Sequence, residues 1–294
     1  RGDMSHVQMR PAGVPETPDA FYDPLGAVKE YIRKSVPYFA YFAESFLAPP
    51  NVMAYGDEVA HLEASKADTT LGDLQSMVVG GAEFMDNFHR YLSIAQESAV
   101  TPNFTIMTGD KDDPRFDLFY RHGNAARLFI GLFLPALPSY QALGFEQRDI
   151  HLEPAPNEHY TKLYVFHLDE GPKATSGPYQ WGKNGELFDQ LSRIRELGEQ
   201  IYANIAGTAT NWLQAPDPTS KDLLIAWTQQ DNPAYLFVVN LAEEPFGKPR
   251  SLAVPEGTQQ AMGVFSSVAP GFNENILTYN NEIFLADLQP GECR

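Results

Sequence analysis

Phe104-Thr105-Ile106-Met107-Thr108-Gly109-Asp110-Lys111-Asp112-Asp113-Pro114-Arg115, with the run at 119–133 behind it, decides how this chain folds. Phe104 to Thr108 is rich in β-favouring residues and stops at Gly109, so it reads as a strand. The acidic loop after it has no apolar period, and Phe119 to Phe133 then reads as a helix. Working outward, the same unit recurs. Upstream, residues 82–98 predict a helix with Phe84, Phe88, Tyr91, Leu92 and Ala95 on one face. Before it, Asn51 to Tyr55 is a short apolar run after Pro49-Pro50, closed by Gly56-Asp57, and reads as a buried strand. Earlier still, Leu25 to Leu47 places Ile32, Val36, Phe39, Ala43 and Phe46 at helical spacing, with a kink or split expected at Pro37. Downstream, Ser139 to Leu143 predicts a strand ending at Gly144. Helices alternating with strands indicate an α/β fold with parallel strands.

The character changes after Gly207. A polar loop at 148–184 and a helix at 186–203 come first, the helix turning Leu187, Leu191, Ile194, Leu197 and Ile201 inward. Short β runs then follow at Leu223–Thr228, Tyr235–Leu241, Ala261–Phe265, Ile276–Tyr279 and Ile283–Leu285, separated by Asp231-Asn232-Pro233, Pro255-Glu256-Gly257 and Asn280-Asn281. That pattern predicts a small all-β antiparallel sandwich. The expected division is therefore 1–206 and 207–294.

Composition narrows the partners. Among 294 residues, Asp+Glu number 38 against 21 Lys+Arg, a formal charge of -17. Such a surface repels phosphate backbones and anionic lipid, so neither nucleic acid nor membrane is expected as a partner. The longest apolar stretch, Leu128 to Leu137, is too short to span a bilayer and contains Pro135. Cys293 is the only cysteine, which rules out an internal disulfide and a cysteine metal site. The expectation is a soluble protein, with the cytoplasm slightly favoured.

Three loops hold the chemistry: Arg1-Gly2-Asp3, Tyr55-Gly56-Asp57-Glu58, and Asp110 to Arg115. Any one alone is solvated acidic surface. Taken in order, they resemble the α-amylase superfamily of glycoside hydrolases and transglycosidases. Arg1-Gly2-Asp3-Met4-Ser5-His6 resembles the fourth-strand motif of that family, and Val52 to Glu58 the fifth. Asp110-Lys111-Asp112-Asp113-Pro114-Arg115 resembles the seventh, and Leu137 to Glu146 the eighth. The β runs, Asn240, and Leu288-Gln289-Pro290-Gly291-Glu292 resemble the family's terminal β domain. The resemblance implies the later half of a (β/α)8 barrel, from the end of strand 4 to strand 8, followed by the sandwich. In such a barrel the strand ends carry the active site.

The resemblance also implies roles. Asp3 would be the nucleophile, paired with Arg1; Glu58 the general acid/base; Asp112 the third acid, gripping the sugar. A retaining glycosidase needs two carboxyls roughly 5 Å apart across the glycosidic bond. The Arg1 charge would keep Asp3 ionised, and the Asp3 charge would help keep Glu58 protonated for its first step. Asp57 is the weaker alternative to Glu58. The implied substrate is an α-1,4-linked glucan or maltooligosaccharide, and hydrolysis and transfer are not separable by these residues. Substitutions at the sugar-contact positions resemble transferring branches such as maltosyltransferases. A non-catalytic relative, or a transporter-associated subunit, is the other reading.

Departures from the family pattern carry their own alternatives. Lys111 stands where the family has His: it either contacts sugar hydroxyls or neutralises Asp110 or Asp113. His6 either meets the acceptor sugar or packs in its loop, and Val7 replaces a further family His. Arg115 is expected to orient Asp112 or to lie at the surface. Tyr179 and Trp181 sit in a polar Gly/Pro loop and are the preferred sugar platforms. No acidic cluster has calcium-loop spacing, so neither metal nor cofactor is expected. Because the fourth-strand motif stands at residue 1, the first half of the barrel is expected to come from a longer chain or a partner.

Overall fold

The computed structural model describes residues 24–43, 68–70, 79–97, 104–107, 123–134, 139–142, 185–220, 222–231, 233–242, 247–286 and 288–294. The chain divides into two compact units. One comprises Arg1–Gln75, Asn87–Thr105 and Leu137–Tyr140; the other comprises Ser76–Asp86, Ile106–Ala136 and Gln141–Arg294.

In the first unit, helix α1 spans Pro24–Arg33. Pro24 suits the first helical position, where its missing N–H is not needed. The helical run expected from Leu25, with its kink or split at Pro37, ends as a helix at Arg33, and residues 44–47 lie outside the described residues. After Arg33 the backbone tightens into turns, with Ser35 N–H donating to Ile32 O at 2.9 Å and Phe39 N–H to Val36 O at 3.0 Å. Pro37 has no N–H to continue the ladder and steers Val36 away from helical angles. The chain then extends as β1, Phe42–Ala43, which pairs parallel with β2, Thr69–Thr70.

Helix α2 spans Ala82–Glu97, and Phe84 and Phe88 of its expected apolar face are fully buried. Strands β3, Phe104–Met107, and β4, Ser139–Ala142, hydrogen-bond as one small sheet. Both lie where the β-rich runs place them. Helix α3 is described over Gly123–Phe133, within the run expected to be helical; residues 119–122, and the expected strand at 51–55, lie outside the described residues.

The second unit holds the sandwich and the helices laid on it. Helix α4 spans Gly185–Ile205, buries Leu191 and Ile194, and ends at Gly207, whose φ of 74° is the left-handed angle a helix stop needs. Three antiparallel strands follow in the order β5, Thr210–Gln214; β6, Leu224–Gln229; and β7, Leu236–Asn240. Strand β8, Arg250–Ala253, pairs antiparallel with β11, Glu282–Leu285. Strand β9, Gln260–Gly263, pairs antiparallel with β10, Glu274–Leu277. Every residue of β6 is buried, because both of its faces are covered. Leu224 and Ala226 point into the sandwich core with Val238, Leu252, Ile283 and Leu285. From the same sheet, Trp227 and Phe237 meet Phe129 and Phe133 of α3. Trp227 Nε1 also donates to the Phe133 carbonyl at 2.8 Å.

The strands at Leu223–Thr228, Tyr235–Leu241, Ala261–Phe265, Ile276–Tyr279 and Ile283–Leu285 are each present within a residue or two. Strands β5 and β8 are additional. β5 is only half-buried and β8 buries Leu252 alone, so neither carries a run of apolar residues to betray it. Among the described residues, no helix is long and apolar enough to cross a membrane.

Candidate functional site

Asp3, Glu58 and Asp112 lie outside the described residues, as do Arg1, His6, Lys111, Arg115, Tyr179 and Trp181. Described elements flank one of them in sequence. Asp112 falls in the sequence between β3, which ends at Met107, and α3, which starts at Gly123.

Helix α3 is held at both ends. At its start, a Cβ on Gly123 would stand 2.7 Å from Val79 Cγ2, so only glycine lets the helix approach this close. At its finish, Phe133 accepts the Trp227 hydrogen bond. Between them, Arg127 is 1% exposed, its guanidinium 5.6 Å from the centre of the Phe84 ring. A buried arginine is costly unless its surroundings compensate it. The sequence signal was present: a lone charge within Ala125-Ala126-Arg127-Leu128-Phe129-Ile130.

Two further polar clusters are structural by their geometry. In the first unit, Asp68 Oδ1 accepts from Lys29 Nζ at 2.8 Å and from Arg33 Nη2 at 3.0 Å. Its Oδ2 accepts the Tyr41 N–H at 2.6 Å. Partial burial alone would raise the Asp68 pKa; the Lys29 and Tyr41 hydrogen bonds and the Lys29 and Arg33 charges outweigh it and hold the group below its ordinary value. All three donors hold one carboxylate in its charged form, so Asp68 ties α1 to the β1–β2 pair and is not poised to exchange protons.

In the second unit, residues 292–294 run antiparallel to β7, with Val238 N–H donating to Arg294 O and Arg294 N–H to Val238 O, both at 2.9 Å. Glu292, 1% exposed, accepts from Ser266 Oγ and Arg294 Nε, each at 2.7 Å, and from Gln289 N–H at 2.8 Å. Asn240, fully buried, donates to the carbonyls of Leu288 and Gln289. Burial pushes the Cys293 thiol pKa up, with the Glu292 charge adding to it, so the thiol stays protonated and is a poor nucleophile.

A cleft of about 390 Å³ opens in the same unit, lined among others by Phe129, Leu197, Ile201, Tyr235, Phe265 and Arg294. Among the described residues lining it there is no carboxylate. No group of three or more metal-ligating side chains gathers among the described residues.

Comparison with known proteins places the fold. No family model matches the sequence, and no curated protein does. Solved structures do match. One is isomaltulose synthase from Erwinia rhapontici NX5, solved in complex with D-glucose: TM-score 0.53, 12% identity, covering 96% of this chain and 62% of that one. Another is a noncanonic maltogenic α-amylase from Thermotoga neapolitana: TM-score 0.51, 12% identity, covering 94% of this chain and 57% of that one. Both are α-amylase-family enzymes. The chain thus spans about three fifths of the length of the structures it matches, and it shares their fold over nearly its whole length.

Proposed function

We propose that this chain is part of an α-amylase-superfamily enzyme, with residues 1–206 contributing to a (β/α)8 catalytic barrel and 207–294 forming its β domain. In this reading Asp3 attacks the anomeric carbon of an α-1,4-linked glucan while Glu58 donates a proton to the departing glycosidic oxygen. Asp112 binds the hydroxyls of the reacting sugar. Glu58, now a carboxylate, then takes a proton from the incoming hydroxyl, which attacks the anomeric carbon and releases Asp3. Water as the acceptor gives hydrolysis; a sugar hydroxyl gives transfer. Arg1 holds Asp3 charged, Arg115 orients Asp112, and Lys111, His6, Tyr179 and Trp181 contact sugar.

The observation that carries this reading is the agreement of two signals. Four short motifs occur in the order of the family's barrel strands. The fold matches two enzymes of that family over 96% and 94% of this chain. At 12% identity, the second signal does not follow trivially from the first.

The test is incubation of the protein, at its full natural length, with maltooligosaccharides of defined length, followed by product sizing. Shorter products mean hydrolysis, and paired shorter and longer products mean transfer. Asp3→Asn and Glu58→Gln should each abolish turnover while leaving the folded protein intact. If neither shorter nor longer products form, the catalytic reading is wrong and a non-catalytic relative takes its place.

A further inference from the structure

We infer that the cleft between helix α4 and the β-sandwich is a binding site for a neutral, largely apolar small molecule that carries one acceptor oxygen. This site does not depend on the catalytic roles proposed above.

The cleft holds about 390 Å³, within the range of about 300–1,000 Å³ usual for small-molecule sites. All of its lining residues belong to the second unit. It runs from the surface to the core. At its rim stand Pro233 and Ala234, just before β7, and Met262 and Val264, in and just after β9, all four exposed. Its deep wall is made by Phe129 of α3, Phe237 and Val238 of β7, and Ile283 and Leu285 of β11, each at most 3% exposed. Protein interiors hold few voids larger than a water molecule. A water held in such a place needs two to four polar partners, which this wall does not offer. An apolar guest fits it better than solvent does.

The few polar groups say what else the guest must carry. Thr228 Oγ1 donates to the Tyr235 carbonyl and Thr258 Oγ1 to the Pro255 carbonyl, each at 2.7 Å, so neither threonine has a proton left to give. Arg294 is the one charged side chain among the described lining residues. Its guanidinium carbon lies 4.6 Å from the centre of the Phe272 ring, which also lines the cleft. Its Nε is committed to Glu292 at 2.7 Å. Its Nη1 is buried without a hydrogen-bond partner, and the Glu274 carboxylate at 3.7 Å is too far away to be one. A buried donor left in this way costs free energy until an acceptor reaches it.

Charge then selects the acceptor. One guanidinium already faces two carboxylates, Glu292 and Glu274. An anionic guest would bring a third negative charge to a single cation, whereas a ketone, ester or ether oxygen brings none. A sugar is a poor match, because most of its hydroxyls would meet apolar wall and lose their hydrogen bonds to water.

The test titrates the full-length protein with prodan, a neutral naphthyl ketone whose emission moves to the blue in apolar surroundings. One saturable site with blue-shifted emission is expected. An analogue with a methylene in place of the carbonyl should bind about tenfold more weakly, and so should the corresponding naphthoate anion. Ala234→Trp, at the exposed rim, should weaken prodan by about tenfold or more at an unchanged melting temperature. Arg294→Met should bring prodan down to the affinity of its methylene analogue and leave the analogue unaffected. If that variant does not fold, the comparison of ketone and analogue in the parent decides alone. The inference is overturned if no saturable binding is seen, or if Ala234→Trp leaves the affinity untouched. Equal binding of ketone and analogue, tighter binding of the naphthoate, or displacement of prodan by maltotriose overturns it as well.

Discussion

A methyl group on the α-carbon of Gly80 would stand 2.0 Å from the carbonyl oxygen of Leu241, and Gly80 itself has a φ of 80°. Two demands therefore coincide on one residue. The left-handed angle penalises any side chain. The carbonyl cannot easily retreat, because the Leu241 N–H is committed to the Leu223 carbonyl at 2.9 Å. Gly80→Ala should destabilise the protein by about 2–4 kcal/mol. Urea unfolding should show a lower midpoint with an unchanged slope. Gly80→Asn separates the two demands, since Asn tolerates the angle but not the contact. An Asn variant as stable as the parent would show that the contact relaxes.

Asp68 predicts an acid-sensitive first unit. Its folded-state pKa is depressed, so its stabilising contribution is fully present above the unfolded value of about 3.9 and fades as the pH falls through the lower folded value. Asp68→Asn should therefore be less stable than the parent at pH 7, and the two should converge as the pH falls well below 4. The side chain is 32% exposed, so part of the difference should vanish in 1 M salt. A gap between parent and variant that stays constant from pH 7 to pH 2 would remove the charge from the explanation.

What the sequence made legible follows burial. Strand β6 is covered on both faces and appears as the continuous run Leu224-Ile225-Ala226-Trp227, so one-dimensional reading found it. Strand β8, Arg250-Ser251-Leu252-Ala253, buries only Leu252 and offers no period to detect. The interruption of helical spacing after Arg33 was legible for a different reason: Pro37, where a kink or split was expected, has no N–H for the backbone bond that the spacing of Ile32, Val36 and Phe39 assumes. Lys29 also eluded a pattern that assigns inside positions to apolar residues. It is 7% exposed and paired with Asp68, which lies far along the sequence just before β2. The proposed catalytic acids belong to a third kind. Asp3, Glu58 and Asp112 were found by motif order, not by periodicity, and their loops lie outside the described residues.

Glu292 anchors the segment paired with β7. Its carboxylate accepts from a hydroxyl, a guanidinium and a backbone N–H at once, while 1% exposed. Glu292→Gln keeps the shape but turns one acceptor into a donor that must face another donor. The Arg294 charge also loses its 2.7 Å partner, leaving Glu274 at 3.7 Å. The expected cost is about 2–4 kcal/mol, since a buried donor and a buried cation are left poorly matched. Adding Arg294→Met should recover part of it by removing the stranded charge. No recovery in the double variant would mean that the Ser266 and Gln289 bonds, not the ion pair, hold the segment.

Lys111 gives the sharpest test of the proposed site. Its two readings predict different kinetics. As a sugar contact, its ammonium donates to substrate hydroxyls, and Lys111→Ala should lower kcat/KM on maltooligosaccharides by about tenfold or more with little change in melting temperature. As a neutraliser of Asp110 or Asp113, its loss should shift stability and salt dependence while leaving kcat/KM in place. Lys111→His supplies the residue the family uses, a smaller group that can donate or accept. Under the sugar-contact reading, the His variant should regain part of the rate that Ala loses. Equal rates for Lys, Ala and His at this position would take Lys111 out of the site altogether.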